Sequence, residues 1–183
     1  TIPAGEFAYT GAVGFHITEW LNDNRFCSRC GSETVLKKTE RAVICPSCGF
    51  TVYPKISPAV IVAITCKDKI LLANGKHYRF SFYSLIAGYV DIGETLEQAV
   101  IREAKEELGI DVKNIRYYGN QPWPFSSSQM IGFFAEADDT QPVVICEDEL
   151  HDAAWFTIDN LPEIPGNISI AGEMIEAFKK GMF

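Results

Sequence analysis

Gly88-Tyr-Val-Asp-Ile-Gly-Glu94 runs into Thr95-Leu-Glu-Gln-Ala-Val-Ile101 and then Arg102-Glu-Ala-Lys-Glu-Glu-Leu-Gly-Ile110. Thr95 and Gln98 have the spacing of a capping box, in which each side chain satisfies the other's backbone amide. Gly109 stands where a helix-ending glycine belongs, so a helix is expected from Thr95 to Leu108. At about 100° per residue, Leu96, Val100, Ile101, Ala104 and Leu108 fall within roughly 140°, a stripe that faces a core. Glu107 projects about 20° from Val100, inside that stripe, and Glu103 borders it. Glu106 lies further round the same flank. Glu97 also points inward, in a first turn where a carboxylate suits the helix dipole. A glutamate buried without a partner is costly, so Glu107 calls for a cation or strong donors. Several carboxylates on one flank suit hard, oxygen-preferring Mg²⁺ or Mn²⁺. Helix geometry alone leaves open a solvated charged helix in which Arg102 and Lys105 serve as ion-pair partners.

Around this helix the chain alternates apolar runs with turns. Ala59–Thr65, opened by Ser57-Pro58, and Lys69–Ala73 read as buried strands. Further strands are expected at Val112–Tyr118, Met130–Ala137 and Ala154–Thr157, and a terminal helix at Ser169–Lys180 with lysines near its end. This order predicts an α+β fold, an α/β/α sandwich. Gln121-Pro-Trp-Pro-Phe125 reads as a loop that flanking prolines stiffen, presenting Trp123 at little ordering cost. It could line a base or nicotinamide pocket, or be a turn that packs Trp123 and Phe125 into the core.

Upstream, Cys27-Ser-Arg-Cys30 and Cys45-Pro-Ser-Cys48 give C-x2-C-x14-C-x2-C. Two such pairs supply four thiolates, a closed tetrahedral shell for one structural zinc. Gly31 and Gly49, each directly after a pair, permit the tight turns of such knuckles. Disulfides do not suit a chain without a secretion signal, and a redox pair does not explain two motifs. Cys66 and Cys146 stand alone as expected buried small hydrophobes. The chain is thus expected to divide into a leader at 1–24, a zinc ribbon at 25–55 and a catalytic domain at 56–183. In the leader, Phe15, Ile17, Trp20 and Leu21 could pack on the body.

The net charge is −8, yet residues 25–55 carry +4, which leaves −12 on the rest. An acidic body argues against a general grip on nucleic acid, although the basic segment could touch an anionic ligand or an RNA end. No apolar run approaches the length of a membrane span and no signal peptide is recognisable, so a cytoplasmic protein is expected.

The stretch from Gly88 to Ile110 resembles the Nudix box, G-x5-E-x7-R-E-U-x-E-E-x-G-U with U apolar. Gly88, Glu94, Arg102, Glu103, Ala104, Glu106, Glu107, Gly109 and Ile110 fill every defined position. The resemblance implies a Nudix α/β/α sandwich with a mixed sheet, preceded by a small zinc ribbon, that hydrolyses nucleoside diphosphates linked to another moiety. It implies Glu103 and Glu107 as principal metal ligands, Glu106 as a further ligand and the Ala87 carbonyl as a backbone ligand. Arg102 and Glu94 would orient these groups. Within the family, the ribbon and Gln121–Phe125 resemble the NADH pyrophosphatases, whose signature is S-Q-P-W-P-F-P-x-S-L-M. Gln121, Pro122, Trp123, Pro124, Phe125, Ser128 and Met130 match; Asn120, Ser126 and Gln129 depart, and Ser127 fills the free position.

That likeness implies substrate contacts from Gln121 to Ser128, including Ser126 and Ser127, and from Glu40, Tyr53, Tyr89 and Ala171. The two tyrosines would sandwich an adenine. Glu149 corresponds to a metal ligand outside the box, with Glu147 and Asp148 as neighbouring registrations. The implied reaction splits NAD(H) into nicotinamide mononucleotide and AMP with Mg²⁺ or Mn²⁺, beside one structural Zn²⁺ per chain, in a homodimer. The chain resembles a short form lacking the N-terminal domain of longer members. Alternatives are hydrolysis of ADP-ribose or another dinucleotide, removal of an NAD cap from RNA, or a zinc-ribbon RNA-binding or regulatory protein with an inactive Nudix domain.

Overall fold

The computed structural model describes residues 4–76, 82–166 and 168–182, so the first three residues of the expected leader lie outside it. The chain forms two compact units. One contains the residues up to Ser57 together with Pro122–Ser128; the other contains Pro58–Gln121 and the residues from Gln129 onward.

The first unit begins with a helix, α1 (Ala4–Asp23), where the sequence suggested only a leader with a few apolar contacts. Trp20 is buried near its end, and Asn24 Nδ2 donates to the Trp20 carbonyl at 2.7 Å, meeting one of the carbonyls a helix end leaves open. Phe15 on α1 meets the ring of Phe125 at 6.0 Å. The ribbon follows as three two-residue antiparallel strands, β1 (Val35–Leu36), β2 (Val43–Ile44) and β3 (Thr51–Val52). Its knuckles close through Gly31 N–H to Cys27 O at 2.8 Å and Gly49 N–H to Cys45 O at 2.9 Å. Both glycines have φ near +75°, at +76° and +74°, a conformation a side chain disfavours.

The second unit is built on β4 (Ser57–Cys66), β5 (Lys69–Gly75), β6 (Ile86–Tyr89), α2 (Leu96–Leu108), β7 (Lys113–Trp123), β8 (Ser128–Glu136), β9 (Leu150–Thr157) and α3 (Ile170–Lys179). The strand order is β7-β8-β4-β5-β9, with β6 also paired to β4. β4 runs antiparallel to β5 and β6, and β5 antiparallel to β9. Ser57 N–H reaches Ser127 O at 2.8 Å and Ala137 N–H reaches Thr65 O at 3.0 Å, so β8 starts and ends beside β4 and runs parallel to it. The sheet is therefore mixed, as expected. Successive β4 residues go to opposite faces: Val60, Val62 and Ile64 join the core that α2 covers, while Ile61 and Ala63 join the core under α3. Such two-sided burial explains why β4 and β5 read as continuous apolar runs rather than alternating ones.

Helix α2 has the expected ends. Thr95 and Gln98 form the reciprocal capping box, and Gly109 closes the helix in the left-handed conformation. Its rotation differs from the expected stripe. Ile101 is 46% exposed and Glu97 is exposed, whereas Ala99, Glu103 and Glu107 are buried with Val100, Ala104 and Leu108. Hydrophobicity alone would choose Ile101 over Glu103; the polar partners of Glu103 reverse that choice.

Three further expectations change. β7 does not stop at Tyr118 but continues through Gln121, Pro122 and Trp123. It is an edge strand, where a proline without an N–H breaks no inner ladder. Phe125 is 71% exposed, so it is no core residue. Cys66 and Cys146 are half-buried rather than buried; Cys66 ends β4 and Cys146 precedes the turn before β9.

Candidate active site

Five acidic side chains and one arginine gather around the buried flank of α2. Glu103 is 8% and Glu107 5% exposed. The Glu103 carboxylate lies directly over Gly88 on β6, and a Cβ added there would fall on Glu103 Oε1. Gly88 is thus required by close approach, not by its backbone conformation. Arg102 ties the group together. Its Nε and Nη2 donate to the two oxygens of Glu94 at 2.8 and 2.9 Å, and its Nη1 donates to Glu103 at 2.7 Å and Glu106 at 3.1 Å. Nη2 also reaches the Tyr89 carbonyl at 2.8 Å, linking α2 to the end of β6. Glu94 in turn accepts the Asp91 amide at 3.0 Å, which fixes the loop between strand and helix.

The electrostatics separate these carboxylates. Arg102 holds Glu94 below its usual range, with help from the Asp91 amide. Burial raises Glu103 in spite of its bond to Arg102. Glu107 is pushed up to about 8, first by burial and then by the charges of Glu103, Glu149 and Glu106. Among the described residues, no donor reaches the Glu107 side chain. A carboxylate in this state is a base without a counter-charge.

Glu149 arrives from the turn before β9. Cys146 N–H donates to the Glu107 carbonyl at 2.9 Å and Val144 N–H to the Leu108 carbonyl at 2.9 Å, fastening this segment to the end of α2. The Cys146 carbonyl then accepts from Glu149 N–H at 3.0 Å. From there the Glu149 charge raises both Glu103 and Glu107, an effect its neighbours Glu147 and Asp148 do not contribute. Lys76, which sequence reasoning missed, braces the turn: its amide meets the Glu149 carbonyl at 2.8 Å and its ammonium the Glu147 carbonyl. No local pattern marks a contact 71 residues apart.

The two candidate metal sites differ in readiness. The sulfurs of Cys27, Cys30, Cys45 and Cys48 all lie within 4.8 Å of one another. Cys27 and Cys48 are 3.6 Å apart and Cys30 and Cys45 3.5 Å, close to the ~3.8 Å set by a tetrahedral zinc with bonds of about 2.3 Å. Ser32, first through its amide, pulls the Cys30 thiol down to about 6. Cys48, despite a hydrogen bond from the Phe50 amide, is pushed up to about 12 by burial and neighbouring thiols. Four such groups fit a structural zinc, which would ionise them together. Among the described residues no trio of carboxylates is gathered that closely. Hard oxygen donors and an uncompensated Glu107 still suit a divalent cation, and the Ala87 carbonyl belongs to an exposed residue on β6 beside Gly88.

The candidate substrate contacts are distributed over both units. In the first, the Tyr53 hydroxyl lies 3.3 Å from both oxygens of Glu40, and Lys37 pairs with Glu40. Lys37 holds the Glu40 carboxyl below its usual range; this residue too was not anticipated. Trp123 and Phe125 meet edge to face at 5.3 Å. Pro124–Ser126 forms a single 3-10 turn, and Ser127 after it has φ +53°. The hydroxyls of Ser126 and Ser128 are 2.8 Å apart, so the serine that replaces the signature proline has a partner. In the second unit, Tyr89 is exposed at the end of β6, and Gln121 and Ala171 meet at the start of α3.

Comparison with known proteins gives a consistent result. The family model described as NUDIX domain matches residues 55–178, and the NADH pyrophosphatase zinc ribbon domain matches 22–53. A protein of Pseudomonas aeruginosa described as "NAD-capped RNA hydrolase NudC" is 42% identical over 176 residues, covering 95% of this chain and 63% of the relative. One of the same description from Haemophilus influenzae is 44% identical over 179 residues, covering 96% and 67%. The chain thus spans about two thirds of these relatives. A crystal structure of a NUDIX hydrolase from Nitrosomonas europaea has the same fold, with a TM-score of 0.70 at 24% identity, covering 85% of this chain and 90% of that one.

Proposed function

The chain belongs to the Nudix family, and from that premise we propose that it hydrolyses the diphosphate bond of NAD(H), yielding nicotinamide mononucleotide and AMP. One observation carries the catalytic part. Glu107 is buried without a donor, among Glu103, Glu106 and Glu149, on a helix whose arginine is engaged with other carboxylates. Bound Mg²⁺ or Mn²⁺ would supply charge neutralisation at the diphosphate and a lowered pKa for the attacking water. Glu103, Glu106, Glu107, Glu149 and the Ala87 carbonyl are the groups that would hold it. Arg102 and Glu94 keep those side chains oriented, and a carboxylate of the Glu103–Glu107 cluster or Glu149 accepts the proton from the attacking water. Tyr53 and Tyr89, both with exposed rings, supply stacking surfaces for the adenine. Glu40 and the residues from Gln121 to Ser128 are the remaining candidate contacts.

A second reading has its own support. The two relatives are described as NAD-capped RNA hydrolases, and the ribbon carries a net charge of +4. An NAD-capped RNA presents the same diphosphate with a polyanionic chain attached, so the same carboxylates would serve. ADP-ribose and other dinucleotides are further candidates, whereas the complete set of box carboxylates speaks against an inactive regulatory protein. The enzyme is taken to be a cytoplasmic homodimer; no described helix is long and apolar enough to cross a membrane.

The deciding experiment offers zinc-loaded protein with Mg²⁺ or Mn²⁺ to NADH, NAD, ADP-ribose, diadenosine polyphosphates and NAD-capped RNA, and identifies the products. Nicotinamide mononucleotide and AMP from NADH are expected. Tight RNA binding with no hydrolysis of any substrate overturns the reading in favour of a regulatory protein. Light scattering tests the dimer.

A further inference from the structure

Gln121, in the Gln-Pro-Trp-Pro-Phe segment, carries a carboxamide that is already fully committed. Its Nε2 donates to the Ile168 carbonyl at 3.0 Å, and its Oε1 accepts the Ile170 amide at 2.8 Å. The residues it grips are the last of the incoming loop and the first of α3. An amide fork holding two backbone groups of one turn fixes both their position and their rotation.

The rest of that turn is also accounted for. Ser169 caps α3, its hydroxyl accepting the Gly172 amide at 3.3 Å and its carbonyl the Glu173 amide at 3.0 Å. With Ile170 bound to Gln121, the Ala171 amide is the first-turn donor with no partner among the described residues. The loop also packs directly on the helix, for a Cβ on Gly172 would strike the Gly166 carbonyl. The strand that carries Gln121 is stiffened next door. Asn120 accepts from Gln129 at 2.8 Å and donates to the Tyr117 hydroxyl at 2.6 Å. Asn120 and Gln129 are two of the departures from the signature, and they are bonded to each other.

We propose that Gln121 is a positioning residue. It sets the start of α3 and so presents the Ala171 backbone to the nucleotide, without itself contacting the substrate. This rests on the nucleotide reading of the site given above. A group whose donor and acceptor are both taken by the backbone has to break those bonds to meet a ligand, at a cost each new contact must exceed.

Gln121→Leu, assayed as the full zinc-loaded chain with Mg²⁺, is expected to raise KM for NADH about tenfold while kcat stays within about twofold, the loss of one to two modest hydrogen bonds. The same variant should weaken AMP binding in calorimetry by a similar factor. Gln121→Glu can still accept the Ile170 amide near the helix N-terminus, so it should recover part of the loss. Hydrogen exchange at Ala171 and Gly172 should quicken in Gln121→Leu and less so in Gln121→Glu. A fall in kcat at unchanged KM would mean that Gln121 acts at the reacting atoms and overturns the proposal. Faster exchange with unchanged KM and AMP affinity overturns it as well, reducing Gln121 to a packing role. If wild-type protein cleaves no dinucleotide but binds AMP, the hydrolase reading fails while the AMP arm still decides this one; absence of AMP binding sinks both.

Discussion

The zinc ribbon and the flank of α2 are both built to surround a cation, yet they are prepared for it very differently. In the ribbon, four sulfurs already stand within 4.8 Å of one another, held by knuckles whose glycines turn the backbone around them. On α2, two carboxylates are buried, one is exposed, a fourth comes from a distant turn, and none of their trios is gathered as closely. Soft ligands that serve only the fold can be fixed by the chain. Carboxylates that are to exchange a ligand during catalysis must remain separable, and Arg102 draws Glu103 and Glu106 toward itself in the meantime. A structural site thus coincides with its own folding, while a catalytic one is left with unbalanced charge.

The contrast can be broken most forcefully from the ribbon side. Cys45, fully buried, should on replacement by serine cost the ribbon its zinc and its fold, a loss on the order of 10 kcal/mol for that module. Metal analysis should find less than one zinc per chain, and limited proteolysis should cut between residues 25 and 55. Zinc retention with an intact ribbon would mean that the tetrad is not closed. The complementary change, Glu107→Gln, should leave zinc and fold untouched but lower kcat/KM at least about 100-fold, the upper end of what supporting groups around a metal contribute. Near-normal activity in folded protein would remove Glu107 from the site.

A smaller effect separates the two regions by pH. Glu107 has its folded pKa raised from 4.5 to about 8, so its favourable contribution to stability is complete below 4.5 and is lost as pH rises through 8. Metal-free protein should therefore lose up to a few kcal/mol between pH 5 and 8 in urea titrations, and Glu107→Gln or added Mg²⁺ should flatten that slope. An unchanged slope in Glu107→Gln would assign the loss to other groups. The smallest expected effect concerns the platform alone. Thr95→Ala removes the cap of α2 and should reduce stability by about 1 kcal/mol in the same titration, with zinc content unchanged.

Much of this molecule is legible in its sequence because its decisive signals are local. The four cysteines, the Thr95–Gln98 box, Gly109 and the unbroken apolar runs of β4 and β5 each act within a few residues, and the structure has them as read. Long-range partners are what sequence could not supply. The exchange of Ile101 for Glu103 on the buried face depends on Gly88, 15 positions earlier, which leaves room for a carboxylate. Glu149 is recruited through Cys146, and Lys76 and Gln121 act on backbone far along the chain. Helix α1 escaped notice because Gly11, Gly14 and its β-branched residues blur any stripe.

Arg102 carries one further consequence. A guanidinium has five N–H bonds and no more. Here each has an acceptor: two oxygens of Glu94, one each of Glu103 and Glu106, and the carbonyl of Tyr89. The cation nearest the carboxylates is saturated, and it has no hydrogen left for a phosphate oxygen. A diphosphate entering among these glutamates finds its positive charge only if a metal brings it, so strict dependence on a divalent ion is written into the valence of a single side chain.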